Sequence, residues 1–251
     1  MKKALDIFSK QANTYKKFRP NYPQELYDEI LGFVPSRTSC WDCATGNGQV
    51  AAVLANYFED VYATDISQEQ LAEAEKADNI IFKVERAEQT NFKENQFDLI
   101  TVAQAMHWFD MDAFNNEVVR VARNGAVVAV WGYGLLRINS EIDQHLDEFC
   151  FNTLGPFWNP ERKHVDNAYK NIIFRFKKIN KEKTRFITVK WTLEQLEGYL
   201  NSWSSVQHYI AQHHQENPVP ALIDSIRKLW GNNLFRPVNF PLFVKVGRVI
   251  K

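Results

Sequence analysis

The middle of the chain alternates short apolar runs with amphipathic segments. The apolar runs predict five β-strands, and apolar positions three or four residues apart predict helices between them. The predicted strands span 39–44, 61–65, 80–85, 97–103 and 126–132, and the predicted helices span about 48–57, 68–77 and 112–122. This alternation predicts right-handed crossovers and a parallel sheet with helices on both faces.

The segments outside this alternation have other patterns. The N-terminal segment is polar and aromatic, with Pro20 and Pro23 before a helical pattern, and it predicts a lid. After the alternation stops, aromatic-rich amphipathic segments such as "VDNAYKNIIFRF" predict an inserted helical cap. The predicted division is an N-terminal helical lid at 1–36, a Rossmann-like core at 37–132, a cap at 133–183 and a segment completing core and cap at 184–251.

Two more strand patterns lie in the last segment. They are "TRFITVKW" at 184–191 and "FPLFVKVGRVI" at 240–250, with helical patterns between them. Because the final strand returns without a helical crossover of its own, we expect it to be antiparallel. The sequence therefore predicts an α/β fold with a seven-stranded, mostly parallel sheet, an antiparallel last strand and a helical cap.

Composition excludes some classes of protein. The 251 residues include 30 Lys and Arg and 30 Asp and Glu, so the formal net charge is zero. This balance gives no indication that the protein binds nucleic acid or a membrane surface. No apolar stretch has the length of a membrane span, and no signal-type core follows Met1, so we expect a cytoplasmic protein. Cys40 and Cys43 have redox or zinc spacing, but without a second ligand pair we interpret them as buried apolar residues and expect no metal.

The segment "SCWDCATGNGQVAAVLANYFEDVYATD" contains the candidate chemistry. Gly46 and Gly48 let backbone approach a ligand at the first turn between strand and helix. Asp65 ends the second strand and predicts an acceptor for a ribose diol. Asp42 ends the first strand, where its charge would repel a pyrophosphate but suits an ammonium. The two acids favour a nucleoside with an amino-acid tail over a dinucleotide.

Four motifs carry a family resemblance. The chain reads "WDCATGNGQVA", "VYATDIS", "ERAEQTNF" and "FDLITVAQAMHWFD", and it resembles the class I S-adenosylmethionine-dependent methyltransferases. The leading "FRPNYP" and the "AQAMHWFD" segment are similar to the branch that includes the trans-aconitate methyltransferases. The resemblance implies S-adenosylmethionine as the cofactor and a small molecule, such as a carboxylic acid, as the methyl acceptor.

The resemblance also implies cofactor contacts at specific positions. Asp65 would hold the ribose, Ile66 would pack on the adenine, and Glu88 would accept from its amine. The N-terminal segment would fold over the cofactor, with Arg19 on its carboxylate. The implied cofactor-binding residues are Tyr15, Arg19, Asp42, Ala44, Gly46, Gly48, Asp65, Ile66, Ala87, Glu88, Gln104, Ala105 and His107.

His107 is the candidate catalytic residue, because it follows the fourth strand near the predicted methyl group. A base is needed only when the acceptor is protonated, so the histidine is either a base or part of an aromatic shelf. Aromatic residues after the strands and in the cap are candidates for enclosing the substrate: Trp108, Trp131, Tyr133, Trp158 and Trp203. Two alternatives stay open at this point, a nicotinamide-dependent oxidoreductase and a non-catalytic S-adenosylmethionine-binding protein.

Overall fold

The computed structural model describes residues 18–251, and Tyr15 lies outside them. The eight strands of its sheet are β1 (Ser39–Cys43), β2 (Asp60–Asp65), β3 (Ile80–Val84), β4 (Phe97–Ala103), β5 (Ala122–Tyr133), β6 (Lys177–Lys178), β7 (Arg185–Trp191) and β8 (Arg236–Arg248). The order is β3-β2-β1-β4-β5-β8, with β6 and β7 both on the outer edge of β8. β1 to β5 pair in parallel.

The antiparallel last strand is confirmed. β8 pairs antiparallel with β5 on one side and with β6 and β7 on the other, so it runs against the rest of the sheet. The predicted count of seven strands is one too low. The additional strand, β6, has two residues and pairs with Gly247 and Arg248. Such a short strand leaves no detectable alternation in the sequence.

Helices flank the sheet. They are α1 (Gln24–Leu31), α2 (Gln49–Leu54), α3 (Gln68–Ala72), α4 (Met111–Val121), α5 (Ser140–Asp147), α6 (Arg162–Asp166), α7 (Leu193–Asn201), α8 (Ser204–Gln212) and α9 (Val219–Trp230). A 3₁₀ turn at Met106–Trp108 begins three residues after the end of β4. Within the described residues, no helix has both the length and the apolar character needed to cross a membrane.

A separate hydrophobic core packs against each face of the sheet, and Cys40 and Cys43 lie in different cores. Cys40 belongs to one buried cluster and Cys43 to the other, because residues three apart on a strand point to opposite faces. Both thiols are free and fully buried, and burial raises the pKa of each well above its usual range. The pair is therefore placed for packing and not for redox chemistry.

The prediction of a helix over "VDNAYKNIIFRF" is wrong for all but the first two residues of that segment. α6 ends at Asp166, and Tyr169 has a φ of 56°, which ends the helical path. Beyond it Ile172 and Phe176 belong to a buried cluster, while Ile173 is 66% exposed. Apolar burial that alternates in this way belongs to extended chain, and it leads into β6.

Candidate active site

The turn after β1 has an uncommon backbone. Ala44, Gly46 and Gly48 have φ of 53°, 57° and 79°, all in the left-handed region. A Cβ at Gly48 would lie 3.0 Å from the Cβ of Ala74, so the turn packs too closely for a side chain there. The two glycines thus allow the left-handed backbone of this turn, and Gly48 also allows close packing against Ala74.

Asp65 lies beside this turn, at the carboxyl end of β2. Its Oδ2 accepts from the backbone N–H of Gly46 at 2.9 Å, and its Oδ1 accepts from the N–H of Ser67 at 2.9 Å. Ser67 in turn caps α3 by accepting from Gln70 N–H. These two bonds fix the carboxylate against the glycine turn.

Asp42 is a buried acid at the end of β1, 1% exposed. Thr101 Oγ1 donates to its Oδ1 at 2.7 Å, and Thr45 Oγ1 donates to its Oδ2. Burial raises the pKa of Asp42 from 3.8 to about 6, which outweighs the opposing effect of these hydrogen bonds, and the charge of Asp65 adds to the rise. A cation bound nearby would favour the ionised form.

The residues after β2 and β3 border the same edge of the sheet. Ile66 is 37% exposed, and Ala87 is buried. Glu88 is engaged at both oxygens: Oε1 accepts from Asp110 N–H at 3.1 Å, and Oε2 lies 3.3 Å from Arg86 Nη2. These bonds hold the Glu88 carboxylate in one orientation.

Gln104 follows β4 with a φ of 54°. Its Oε1 accepts from Tyr133 N–H at 2.8 Å and its Nε2 donates to Tyr133 O at 3.2 Å, so the side-chain amide extends the pairing of β4 with β5. A Cβ at Gly132 would lie 2.5 Å from this Oε1. Ala105 follows, is buried, and immediately precedes the 3₁₀ turn that carries His107.

The His107 ring contacts Trp108 within the same turn and Tyr169 from a distant part of the chain. Its Nδ1 lies 2.8 Å from Tyr169 Oη, and its ring centroid lies 4.7 Å from that of Trp108. Tyr169 lies in the segment 133–183 that the sequence predicts to be the cap, so the contact joins that segment to the turn after β4. No local pattern in the sequence indicates this pairing, because 62 positions separate the two residues.

Two of the cavities lined by described residues open at this edge. The larger cavity, of about 410 Å³, is lined by Arg19, Asn21, Tyr22, Tyr27, Asn47, Gly48, Gln49, Ala52, Val53 and Glu75. The smaller cavity, of about 80 Å³, is lined by Arg19, Gln104, His107, Trp108, Trp158, Asn159, Arg162, Val165 and Ser204. Arg19 borders both cavities, and its Nη1 donates to Tyr133 Oη at 2.9 Å.

The comparisons with known proteins agree with one another. A family described as "Methyltransferase domain" matches residues 41–130. A Dictyostelium discoideum protein named as a methyltransferase is 32% identical, covering 97% of this chain and 95% of that protein. A solved structure, named as a type II methyltransferase from Anaeromyxobacter dehalogenans, superposes with a TM-score of 0.85 and 34% identity, covering 93% of this chain and 99% of that one.

The chain belongs to the class I S-adenosylmethionine-dependent methyltransferases. A Saccharomyces cerevisiae protein named as an S-adenosylmethionine-dependent methyltransferase is also similar, at 27% identity over 47% of this chain and 44% of that protein. The family decides against the nicotinamide-dependent oxidoreductase. The finer resemblance, to the trans-aconitate branch, stays a prediction.

The residues of this methyltransferase fit the cofactor that its family uses. Gly46 leaves room for close approach of a ligand to the backbone, since a Cβ there would meet only Gln70 Oε1, at 3.9 Å. Tyr27, on α1, lines the larger cavity with a buried hydroxyl that has no hydrogen-bond partner within residues 18–251. An unsatisfied buried hydroxyl beside Arg19 suits a ligand with polar ends. Sequence reasoning missed Tyr27, because it continues the apolar stripe of α1.

The predicted substrate residues of the methyltransferase divide into two groups. Trp108 and Trp158 line the smaller cavity. Trp131, Tyr133 and Trp203 are 0%, 4% and 3% exposed and belong to the buried core. Trp131 lies on β5, and the rings of Tyr22 and Tyr27 pack against its side chain, with centroids 5.6 and 6.4 Å from its own. Among the described residues, no group of three or more His, Cys, Asp or Glu is arranged to hold a metal ion.

Proposed function

We propose that this methyltransferase acts on a small carboxylic acid bound in the smaller cavity. The observation that carries the proposal is the set of hydrogen-bond donors around that cavity. Arg19, Arg162, Asn159 and His107 all line it, together with the rings of Trp108 and Trp158. A carboxylate bound there would meet cations and donors on one side and apolar rings on the other.

Arg162 and Asn159 support an anionic acceptor. The Arg162 guanidinium lies 4.1 Å above the Trp158 ring, and its Nε donates to Asp166 at 2.8 Å, so it is oriented from two sides. The Nδ2 of Asn159 is buried without a hydrogen-bond partner in the part of the chain described. A buried amide donor of this kind is satisfied when an acceptor oxygen arrives.

The cofactor-binding roles are part of the same proposal. Asp65 would accept the ribose hydroxyls, since its carboxylate is fixed beside the glycine turn. Asp42 would favour the ammonium of the methionine end, and Tyr27 and Arg19 would meet the carboxylate of that end from the larger cavity. Ile66 would pack on the adenine. Its exposure supports this role, because a large apolar side chain left accessible is available to a ligand ring.

The chemistry asks little of the protein beyond alignment. S-adenosylmethionine supplies the reactive methyl group, and the chain has to bring the acceptor oxygen in line and exclude water. A carboxylic acid is ionised near neutral pH, so no proton has to be removed. His107 would therefore align the acceptor and not act as a base, and His107→Gln would lower turnover by much less than the roughly 10²- to 10⁴-fold expected for loss of a general base.

The N-terminal lid and the location also belong to this proposal. Arg19 and Tyr22 lie in the predicted lid at 1–36 and line the larger cavity, which supports a covering role for that segment. The core and cap divisions at 37–132, 133–183 and 184–251 stay predictions. Three free cysteines are in keeping with a cytoplasmic location, where thiols stay reduced.

The test is a methyl-transfer assay with a panel of small carboxylic acids, and with alcohols and amines of matched size. We expect turnover with one or more acids, and a rise in the acceptor KM in Arg162→Gln. The matched control is Arg175→Gln, since Arg175 is exposed and pairs with Asp112 away from the smaller cavity. Turnover of an alcohol with a steep loss in His107→Gln would refute the carboxylic acid and make His107 a base. Cofactor binding without any turnover would favour a non-catalytic protein.

A further inference from the structure

Tyr169 is a buried tyrosine in contact with the candidate catalytic residue. It is 0% exposed, and its Oη lies 2.8 Å from His107 Nδ1. The edge of Phe243 packs against its ring, with centroids 4.9 Å apart. The phenol is therefore confined, and the contact with His107 is part of a fixed arrangement.

The backbone of Tyr169 is held in an uncommon conformation. Ala168 and Tyr169 have φ of 50° and 56°, two successive non-glycine residues in the left-handed region. Such strain persists only where the surroundings determine it, and it concentrates at functional sites. Here Tyr169 N–H donates to His164 O at 2.8 Å, and the Lys245 ammonium donates to Tyr169 O. Bonds from α6 and from β8 thus fix the residue that contacts His107.

We propose that Tyr169 is a positioning residue, whose hydroxyl donates to Nδ1 of His107 and keeps the proton of the neutral ring on Nε2. A phenol is a good donor and a weak acceptor, because its oxygen lone pair is delocalised into the ring, whereas an unprotonated imidazole nitrogen is a good acceptor. The hydrogen bond made by one ring nitrogen determines which nitrogen carries the proton.

This assignment has a consequence for the smaller cavity. His107 lines it, and Nε2 is the ring nitrogen that the contact with Tyr169 does not use. With the proton on Nε2, the histidine would donate a hydrogen bond to a carboxylate oxygen of the methyl acceptor and would not remove a proton from it. This step rests on the proposed function, in which the acceptor is an ionised carboxylate.

The first test is nuclear magnetic resonance of the ligand-free protein labelled with ¹⁵N-histidine at a pH of about 8, well above the usual pKa of histidine. The His107 signals are assigned by their loss in His107→Gln. We expect the chemical shifts of an unprotonated Nδ1 and a protonated Nε2 in the parent, and in Tyr169→Phe shifts closer to an average of the two tautomers. A protonated Nδ1 in the parent, or identical shifts in Tyr169→Phe, would overturn the assignment.

The second test is kinetic. Tyr169→Phe should lower kcat roughly two- to tenfold, the range for loss of one hydrogen bond, and leave the KM for S-adenosylmethionine unchanged. The control is Tyr209→Phe: Tyr209 stacks on His213 at 3.9 Å, and His213 Nδ1 contacts its backbone carbonyl, so that pair does not use the hydroxyl. An unchanged kcat in Tyr169→Phe would contradict the role. If no acid is methylated, the proposed function fails, and the nitrogen shifts still decide the role of Tyr169.

Discussion

Replacing Asp42 by asparagine should make the ligand-free protein more stable at high pH. The pKa of Asp42 is raised from 3.8 to about 6 in the folded state, so the folded protein holds its proton more tightly than the unfolded chain does. The stabilisation from this proton is complete below pH 3.8 and is lost as the pH rises through about 6. At about 1.36 kcal/mol per pH unit, the full loss is about 3 kcal/mol.

About half of this loss falls between about pH 5 and about pH 8. Since the total loss is about 3 kcal/mol, linkage predicts that the parent loses roughly 1–2 kcal/mol over that interval because of Asp42. The introduced asparagine does not titrate, and its amide can still pair with the two threonine hydroxyls. Urea unfolding at the two pH values should therefore show the stability advantage of Asp42→Asn over the parent growing by roughly 1–2 kcal/mol. A constant difference between variant and parent would refute the reasoning.

The same substitution should weaken the binding of the cofactor. If the Asp42 charge faces the ammonium of the methionine end, Asp42→Asn should lower the affinity for S-adenosylhomocysteine about tenfold or more, as expected for a charged hydrogen-bond partner. Adenosine lacks the amino-acid tail and is the matched control ligand. Its affinity should stay within about twofold of the parent value, since it makes no contact of this kind. Equal losses of affinity for the two ligands in calorimetry would show that Asp42 does not act through the ammonium group.

The contacts around the site support three more predictions. Tyr27→Phe should raise the free energy of unfolding of the ligand-free protein, because it removes a buried hydroxyl that has no hydrogen-bond partner among the described residues. The same change should weaken the binding of S-adenosylhomocysteine roughly two- to tenfold. Unchanged affinity in calorimetry would exclude contact between this hydroxyl and the cofactor. Gly132→Ala should destabilise the protein by about 1–3 kcal/mol in urea unfolding, since its Cβ would lie 2.5 Å from Gln104 Oε1 and 2.6 Å from Phe243 Cζ. Unchanged stability would mean that both side chains move aside freely. Amide hydrogen exchange in residues 18–36 should slow when S-adenosylhomocysteine is added, and equal rates would argue against a lid.

The sheet could be predicted because its signals are local. Each of β1 to β5 is an apolar run bounded by turn residues, and Gly46, Gly48 and Asp65 stand where the chain leaves a strand. In a parallel sheet those ends meet at one edge, so the sequence alone predicts their proximity. The contact between Asp65 and Gly46 N–H agrees with that expectation.

The contacts that the sequence did not predict are long-range ones. Tyr169 reaches His107 only because the chain leaves the helical path after α6, and nothing in "VDNAYKNIIFRF" marks this departure. Trp131 is a candidate for substrate contact by its sequence position, but it is fully buried, with Tyr22 and Tyr27 packed against its ring. Which aromatic residues of the cap face a cavity depends on how the cap packs, and a residue pattern along one segment does not contain that information.

Calorimetric titration with S-adenosylhomocysteine tests the central claim most directly, because it measures cofactor binding at the carboxyl edge of the sheet without needing an acceptor. The parent should bind saturably at one site, and Asp65→Ala should weaken binding about tenfold or more, which corresponds to about 1.4 kcal/mol for the lost ribose contacts. Asp60→Ala is the matched control, since Asp60 is exposed at the opposite end of the same strand, and it should bind as the parent does. No binding by the parent, or equal binding by Asp65→Ala and the parent, would contradict the account.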